Sequence, residues 1–108
     1  MNSKCEFCFS ALKQLKKQYT IVVHGNSMSP GIHDGQVLSI VPIAFDSIQK
    51  GDIILYKKCP DHLTLHRVVS FVSLQGQKVI QTRGDNNLES DDYYVFPEDI
   101  LGKVVIEL

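Results

Sequence analysis

The chain has 108 residues and a mass of 12.2 kDa, room for one domain with one modest hydrophobic core. Hydrophobic residues make up 44% and charged residues 21%, a globular balance that excludes a disordered chain. Lys and Arg number 11 against 12 Asp and Glu, a net charge of −1, which excludes a general nucleic-acid binder because phosphate contacts need clustered excess cations. A membrane span needs about 20 mainly apolar residues. The longest apolar stretches, 21–23 and 37–45, fall short of that, and Ser39 and Pro42 interrupt the second. The apolar run at 5–12 is brief and is followed rather than preceded by lysines, so it does not read as a secretory signal. The expectation is a cytoplasmic protein without a transmembrane segment.

Residues 3–18 carry the one helical pattern. Cys8, Leu12 and Leu15 recur at i, i+4 and i+7, and Lys13, Lys16 and Lys17 fall mostly on the rest of the wheel. This N-terminal helical extension (1–18) either packs its stripe on the domain or meets a peripheral membrane or membrane-protein partner. From 19 to 108 the chain reads as a single β-rich domain. Residues 19–24 are rich in β-branched side chains, and a breaker cluster of Gly25, Asn26, Ser27, Ser29, Pro30 and Gly31 follows them. Extended runs at 36–41 and 52–56 come next. Residues 62–72 and 78–82 flank a link containing Gly76, the pattern of a hairpin. The polar stretch 84–92 is a loop, 97–101 one helical turn, and 102–107 a closing strand. The fold class is therefore mainly β, with short antiparallel strands and a short N-terminal helix.

Three polar clusters interrupt the strands. In the first, Ser27 stands in a turn between Gly25 and Pro30, where a hydroxyl is exposed and backbone N–H groups point outward, as acyl transfer requires; the same composition also makes an ordinary turn. In the second, strand alternation puts Leu63, Leu65, Arg67 and Val69 on one face and Thr64, His66 and Val68 on the other. A strand fixes the direction of His66, which suits a general base or a hydrogen-bonded packing residue. His24, His33 and His62 are alternative bases by type. The third cluster runs from Arg83 to Asp92. Its acids could orient a histidine or solubilise a loop, but they lack the alternate spacing of a calcium loop. Cys5 and Cys8 form one Cys-x-x-Cys, and Cys59 is remote from it. Half of a four-ligand set points to reduced thiols, so no metal and no cofactor are expected.

The blocks Ser27-Met28-x-Pro30, Gly51-Asp52-Ile53-Ile54, His66-Arg67-Val68-Val69, Gly84-Asp85-Asn86 with Asp92, and Gly102-Lys103-Val104 stand in an order that resembles the type I signal peptidase family over about residues 23–105. The resemblance implies a signal-peptidase-like or repressor-protease-like β fold. It implies Ser27 as nucleophile, His66 as general base (the position that is lysine in most bacterial members) and Asp92 as the acid that orients His66. Asp92 is chosen over Asp91 because its spacing from Gly84 fits the bacterial form of the motif without a gap. Asn26, Met28 and Pro30 would face the oxyanion and substrate, while Arg67, Gly84, Asp85, Asn86 and Asp91 would support the site loop. Many members carry a serine two residues before the nucleophile. Here that position is Gly25, so a second oxyanion donor falls to another backbone N–H or to the Asn26 amide.

The function so implied is a serine endopeptidase that cleaves a peptide or protein precursor, a signal or leader peptide, after small residues. Two alternatives come from other classes. One is a non-catalytic module holding a peptide strand at a sheet edge. The other is a self-cleaving repressor-type regulator, a type that usually pairs serine with lysine and carries a DNA-binding domain too large for residues 3–18.

Overall fold

The computed structural model describes residues 18–60 and 62–105. The helical expectation over 3–18 lies outside the described residues, Gln18 apart. Seven strands form one antiparallel sheet: β1 (Tyr19–Val22), β2 (Val37–Val41), β3 (Ile53–Cys59), β4 (His62–Leu74), β5 (Gln77–Arg83), β6 (Tyr94–Val95) and β7 (Ile100–Val104). Their order across the sheet is β1-β2-β7-β3-β4-β5-β6. Short 3₁₀ turns at Phe45–Ser47 and Pro97–Asp99 are the helical elements among the described residues, and none of these is long and apolar enough to cross a membrane.

The continuous apolar run Ile53-Ile54-Leu55-Tyr56 explains why β3 lies at the centre. A strand exposed on one face alternates apolar and polar residues, whereas one covered on both faces does not. Ile53 and Leu55 pack with Met28, Ile32, Leu38, Ile40, Leu101 and Val104. Ile54 and Tyr56 point the other way, into a second cluster with Ile48, Val68, Ile80, Val95 and Ile100. β3 thus divides the core in two, and each strand that pairs with it inherits a defined face.

β4 and β5 form the expected hairpin. Its two-residue turn is Gln75-Gly76, with φ of 51° and 82°, the double positive φ whose twist matches that of the strands it joins. Alternation along β4 holds from Leu63 to Val68, and a bulge then interrupts the pairing with β5 between Val68 and Ser70. β7 begins at Ile100, earlier than the expected 102. It crosses β2 so closely that a Cβ on Gly102 would collide with the carbonyl oxygen of Val41. The two-residue strand β6 carries too little pattern to be read from the sequence; its pairing of Val95 with Ile80 comes from burial at the end of the second cluster.

Candidate active site

Ser27 lies in the connection 23–36 between β1 and β2. Backbone bonds from Val23 N–H to Gln36 O (2.9 Å) and from Gly35 N–H to Val23 O (2.8 Å) close this connection at its base. The Asp34 carboxylate accepts the Gly25 N–H at 2.8 Å. Gly25 has φ +99°, a conformation that strains a residue with a side chain. It therefore offers Ser27 neither a neighbouring hydroxyl nor an uncommitted backbone donor. Met28, expected to face substrate, borders the cleft on which Ser27 opens, but it is 3% exposed and packs in the first core cluster. Adjacent residues of the turn point opposite ways, so burying Met28 leaves Ser27 exposed. Asn26 and Pro30 are exposed but lie outside the lining of the cleft on which Ser27 opens. The Asn26 carbonyl accepts the Ser29 N–H at 3.0 Å and the Asn86 side-chain amide at 3.2 Å.

His66 is opposite Ile54 across the β3–β4 ladder and so shares the face of the second cluster, 8% exposed. Its Nε2 is 3.2 Å from Ser27 Oγ, and its Nδ1 is 2.6 Å from Asp91 Oδ2. One tautomer satisfies both contacts: the Ser27 hydroxyl donates to a bare Nε2, and Nδ1–H donates to the carboxylate. Of the four histidines, His66 is the one at hydrogen-bond distance from Ser27. His24 and His62 stand on the cleft wall, and His33 lies against the Asp34 carbonyl at 3.4 Å.

The carboxylate on His66 is therefore Asp91, and the expectation of Asp92 is corrected. The Asp91 N–H bonds back to the Thr82 carbonyl at the end of β5 (2.8 Å), which turns its side chain inward. Asp92 follows at a bend of the chain; it is exposed on the cleft wall, and no hydrogen bond joins it to His66. Counting residues from Gly84 could not detect this, because the path of the loop decides which of two adjacent acids faces in.

The rest of the 84–92 loop is fastened to the serine turn. The Asn86 N–H donates to the Ser27 carbonyl at 2.8 Å, and the Asp85 N–H lies 3.3 Å from Met28 Sδ. Arg67 projects from the opposite face of β4. Its Nε and Nη2 clasp the two oxygens of Asp85 at 2.9 and 2.7 Å, and its Nη1 reaches the Gly51 carbonyl at 2.7 Å. These bonds hold the Asp85 carboxyl below, and the Arg67 guanidinium above, their ordinary ranges. Gly84 sits where the loop passes Ser27 and His66. A Cβ there would lie 2.8 Å from both the Ser27 carbonyl oxygen and the Asn87 side-chain nitrogen, and 3.0 Å from His66 Nε2.

Behind Asp91 lies a polar set that the sequence did not single out. Thr82 Oγ1 donates to Asp91 Oδ2 at 2.6 Å. Tyr56 Oη is 3.3 Å from Thr82 Oγ1 and 2.7 Å from Tyr93 Oη. Tyr56 and Thr82 read as ordinary strand residues, and only the sheet register brings them together. In front of the serine is an open cleft of about 1310 Å³. One wall is β1 and the residues after it (Ile21, Val23), and the other is the start of β4 (Leu63, Leu65). Among the described residues β1 pairs only with β2, and β4 pairs with β5 only from Arg67 onward. Both walls therefore carry strand edges. Among the described residues no group of three or more His, Cys, Asp or Glu is placed to hold a metal ion.

Comparison with known proteins agrees with this architecture. Residues 2–105 match the family model described as Peptidase S24-like, and the chain belongs to that family. It is also similar to signal peptidase I W of Bacillus subtilis (strain 168), with 28% identity over 79 residues. That alignment covers 72% of this chain and 42% of the relative, so the chain spans less than half the length of the curated relative it matches.

Two outcomes follow from the loop. Gly84→Ala must push the loop away from Ser27 and His66, so labelling of Ser27 by a serine-reactive probe should fall by about 10-fold or more; undiminished labelling would show that the loop has room for a methyl group. The Asp85 carboxyl is depressed in the folded state, so its stabilising contribution is present above about pH 4 and is lost as pH falls toward the lower folded value. In denaturant unfolding, the stability gap between wild type and Asp85→Asn should be constant from neutral pH to about pH 4 and close in more acid solution. A gap that widened in acid would contradict the clasp.

Proposed function

We propose that this Peptidase S24-like protein is a serine endopeptidase that cuts a peptide or protein precursor after small residues, with Ser27 as nucleophile, His66 as general base and Asp91 as the orienting acid. The observation that carries the reading is the unbroken line from Ser27 Oγ through the His66 ring to Asp91 Oδ2, with its serine end exposed in a cleft. His66 Nε2 takes the hydroxyl proton as Oγ bonds to the substrate carbonyl carbon. The tetrahedral intermediate collapses with cleavage of the C–N bond, and the same nitrogen returns that proton to the departing amine. Water then attacks the ester, again giving its proton to Nε2, and Oγ leaves as the hydroxyl. Through these steps Asp91 holds Nδ1–H and stabilises the imidazolium.

Two strand edges without a pairing partner among the described residues face one cleft and suit an extended peptide, whose main chain completes their hydrogen bonding. The backbone N–H of Ser27 is the natural donor to the oxyanion, since Gly25 N–H is engaged with Asp34. Precursor maturation as the biological role rests on the similarity to a signal peptidase.

The test is a serine-reactive probe read by intact mass. Wild type should gain one adduct, located on Ser27; Ser27→Ala should gain none, and His66→Ala should react about 10²–10⁴-fold more slowly. Wild-type labelling of Ser27→Ala would overturn the assignment, and binding of peptides without any acylation would favour the non-catalytic alternative.

A further inference from the structure

We propose that Thr82 is the positioning residue of this site: its hydroxyl, given to the same Asp91 oxygen that receives His66 Nδ1–H, fixes the rotation of the carboxylate and through it the tautomer and direction of the imidazole. The inference deepens the peptidase reading and rests on it.

Thr82 and Asp91 are joined twice. The Asp91 N–H donates to the Thr82 carbonyl at 2.8 Å, and Thr82 Oγ1 donates to Asp91 Oδ2 at 2.6 Å. Asp91 Oδ2 thus accepts two short bonds, one from the imidazole and one from the hydroxyl. A carboxylate held by the histidine alone turns freely about its terminal torsion, which is broad and two-fold. A second donor from fixed backbone removes that freedom. Thr82 is wholly buried (0% exposed) and lies across the ladder from Val68. Valine would fill the same volume and suit a strand equally well, so packing alone does not call for a hydroxyl here.

The direction of the bond follows from counting protons. The threonine hydroxyl has one, and a carboxylate oxygen can only accept, so the proton goes to Asp91. The lone pairs of Oγ1 are then left to accept from Tyr56 Oη, 3.3 Å away. Tyr56 is 1% exposed, and burial pushes its hydroxyl well above the ordinary tyrosine range. Burial likewise raises Tyr93, which stands 2.7 Å from Tyr56. Behind Thr82 there is accordingly a pair of protonated phenols, Tyr56 buried and Tyr93 half-buried at the cleft.

The test reads the His66 ring directly by nitrogen-15 NMR on folded full-length protein, alongside the probe-labelling rate. Wild type should show the Nδ1–H tautomer with a slowly exchanging Nδ1 proton. In Thr82→Val that proton should exchange at least about 10-fold faster, and the maximal labelling rate should fall by about 10-fold with the half-saturating probe concentration unchanged. Thr82→Ser should restore both. A residue that merely packs would alter stability and leave the ring signature alone, so an unchanged signature in folded Thr82→Val overturns the proposal. Thr82→Ala also lacks the hydroxyl and introduces no new bulk; it should accelerate exchange of the same proton, and provides the decisive reading if Thr82→Val does not fold. The two readings separate cleanly: unlabelled wild type with the ring signature intact counts against the peptidase, whereas labelled wild type with an indifferent Thr82→Val counts against Thr82.

Discussion

The 2.6 Å bond between His66 Nδ1 and Asp91 Oδ2 is the constraint on which the rest of this site depends. Both side chains are about nine-tenths buried. A buried polar group left without a partner costs about 1–3 kcal/mol, and more when it is charged. The sheet therefore has to deliver both residues together. β4 sets His66 through its register with Ile54, β5 sets Asp91 through Thr82, and the outward end of the imidazole is thereby aimed at one point. Ser27 occupies that point because Met28 anchors its turn in the core on the other side.

The 84–92 loop is the second determinant. It carries little apolar material, yet it is held by the Arg67 fork on Asp85, the Asn86 N–H on the Ser27 carbonyl and the return of Asp91 to β5. Arg67 and His66 are adjacent on one strand and face opposite ways. One dipeptide therefore both supplies the candidate base and fixes the loop that brings it a carboxylate. This arrangement needs the loop to touch the serine turn, which explains the absence of a side chain at Gly84.

Much of this was legible in the sequence. β-Branched runs, the Gly76 link and the breaker cluster around Ser27 mark the strands and the main turns, and the ordered blocks point to Ser27 and His66. Three features were not legible, each for a physical reason. The choice between Asp91 and Asp92 depends on the path of a loop that makes its own hydrogen bonds. The inward anchoring of Met28 follows from a turn whose shape no periodicity predicts. The set formed by Tyr56, Thr82 and Tyr93 joins residues from β3, β5 and the segment before β6, and each looks ordinary in its own stretch of chain. Strand alternation assigns faces; it does not show which residues of separate strands meet.

The most direct measurement compares Asp91→Asn with Asp92→Asn by the rate at which a serine-reactive probe labels Ser27. Both substitutions remove one negative charge from the same loop, so surface electrostatics cancel in the comparison. The account predicts that Asp91→Asn slows labelling by about 10²-fold or more, because an amide cannot hold the imidazolium that forms as Ser27 reacts, while Asp92→Asn stays within about two-fold of wild type. A large loss in Asp92→Asn with Asp91→Asn unaffected would contradict it.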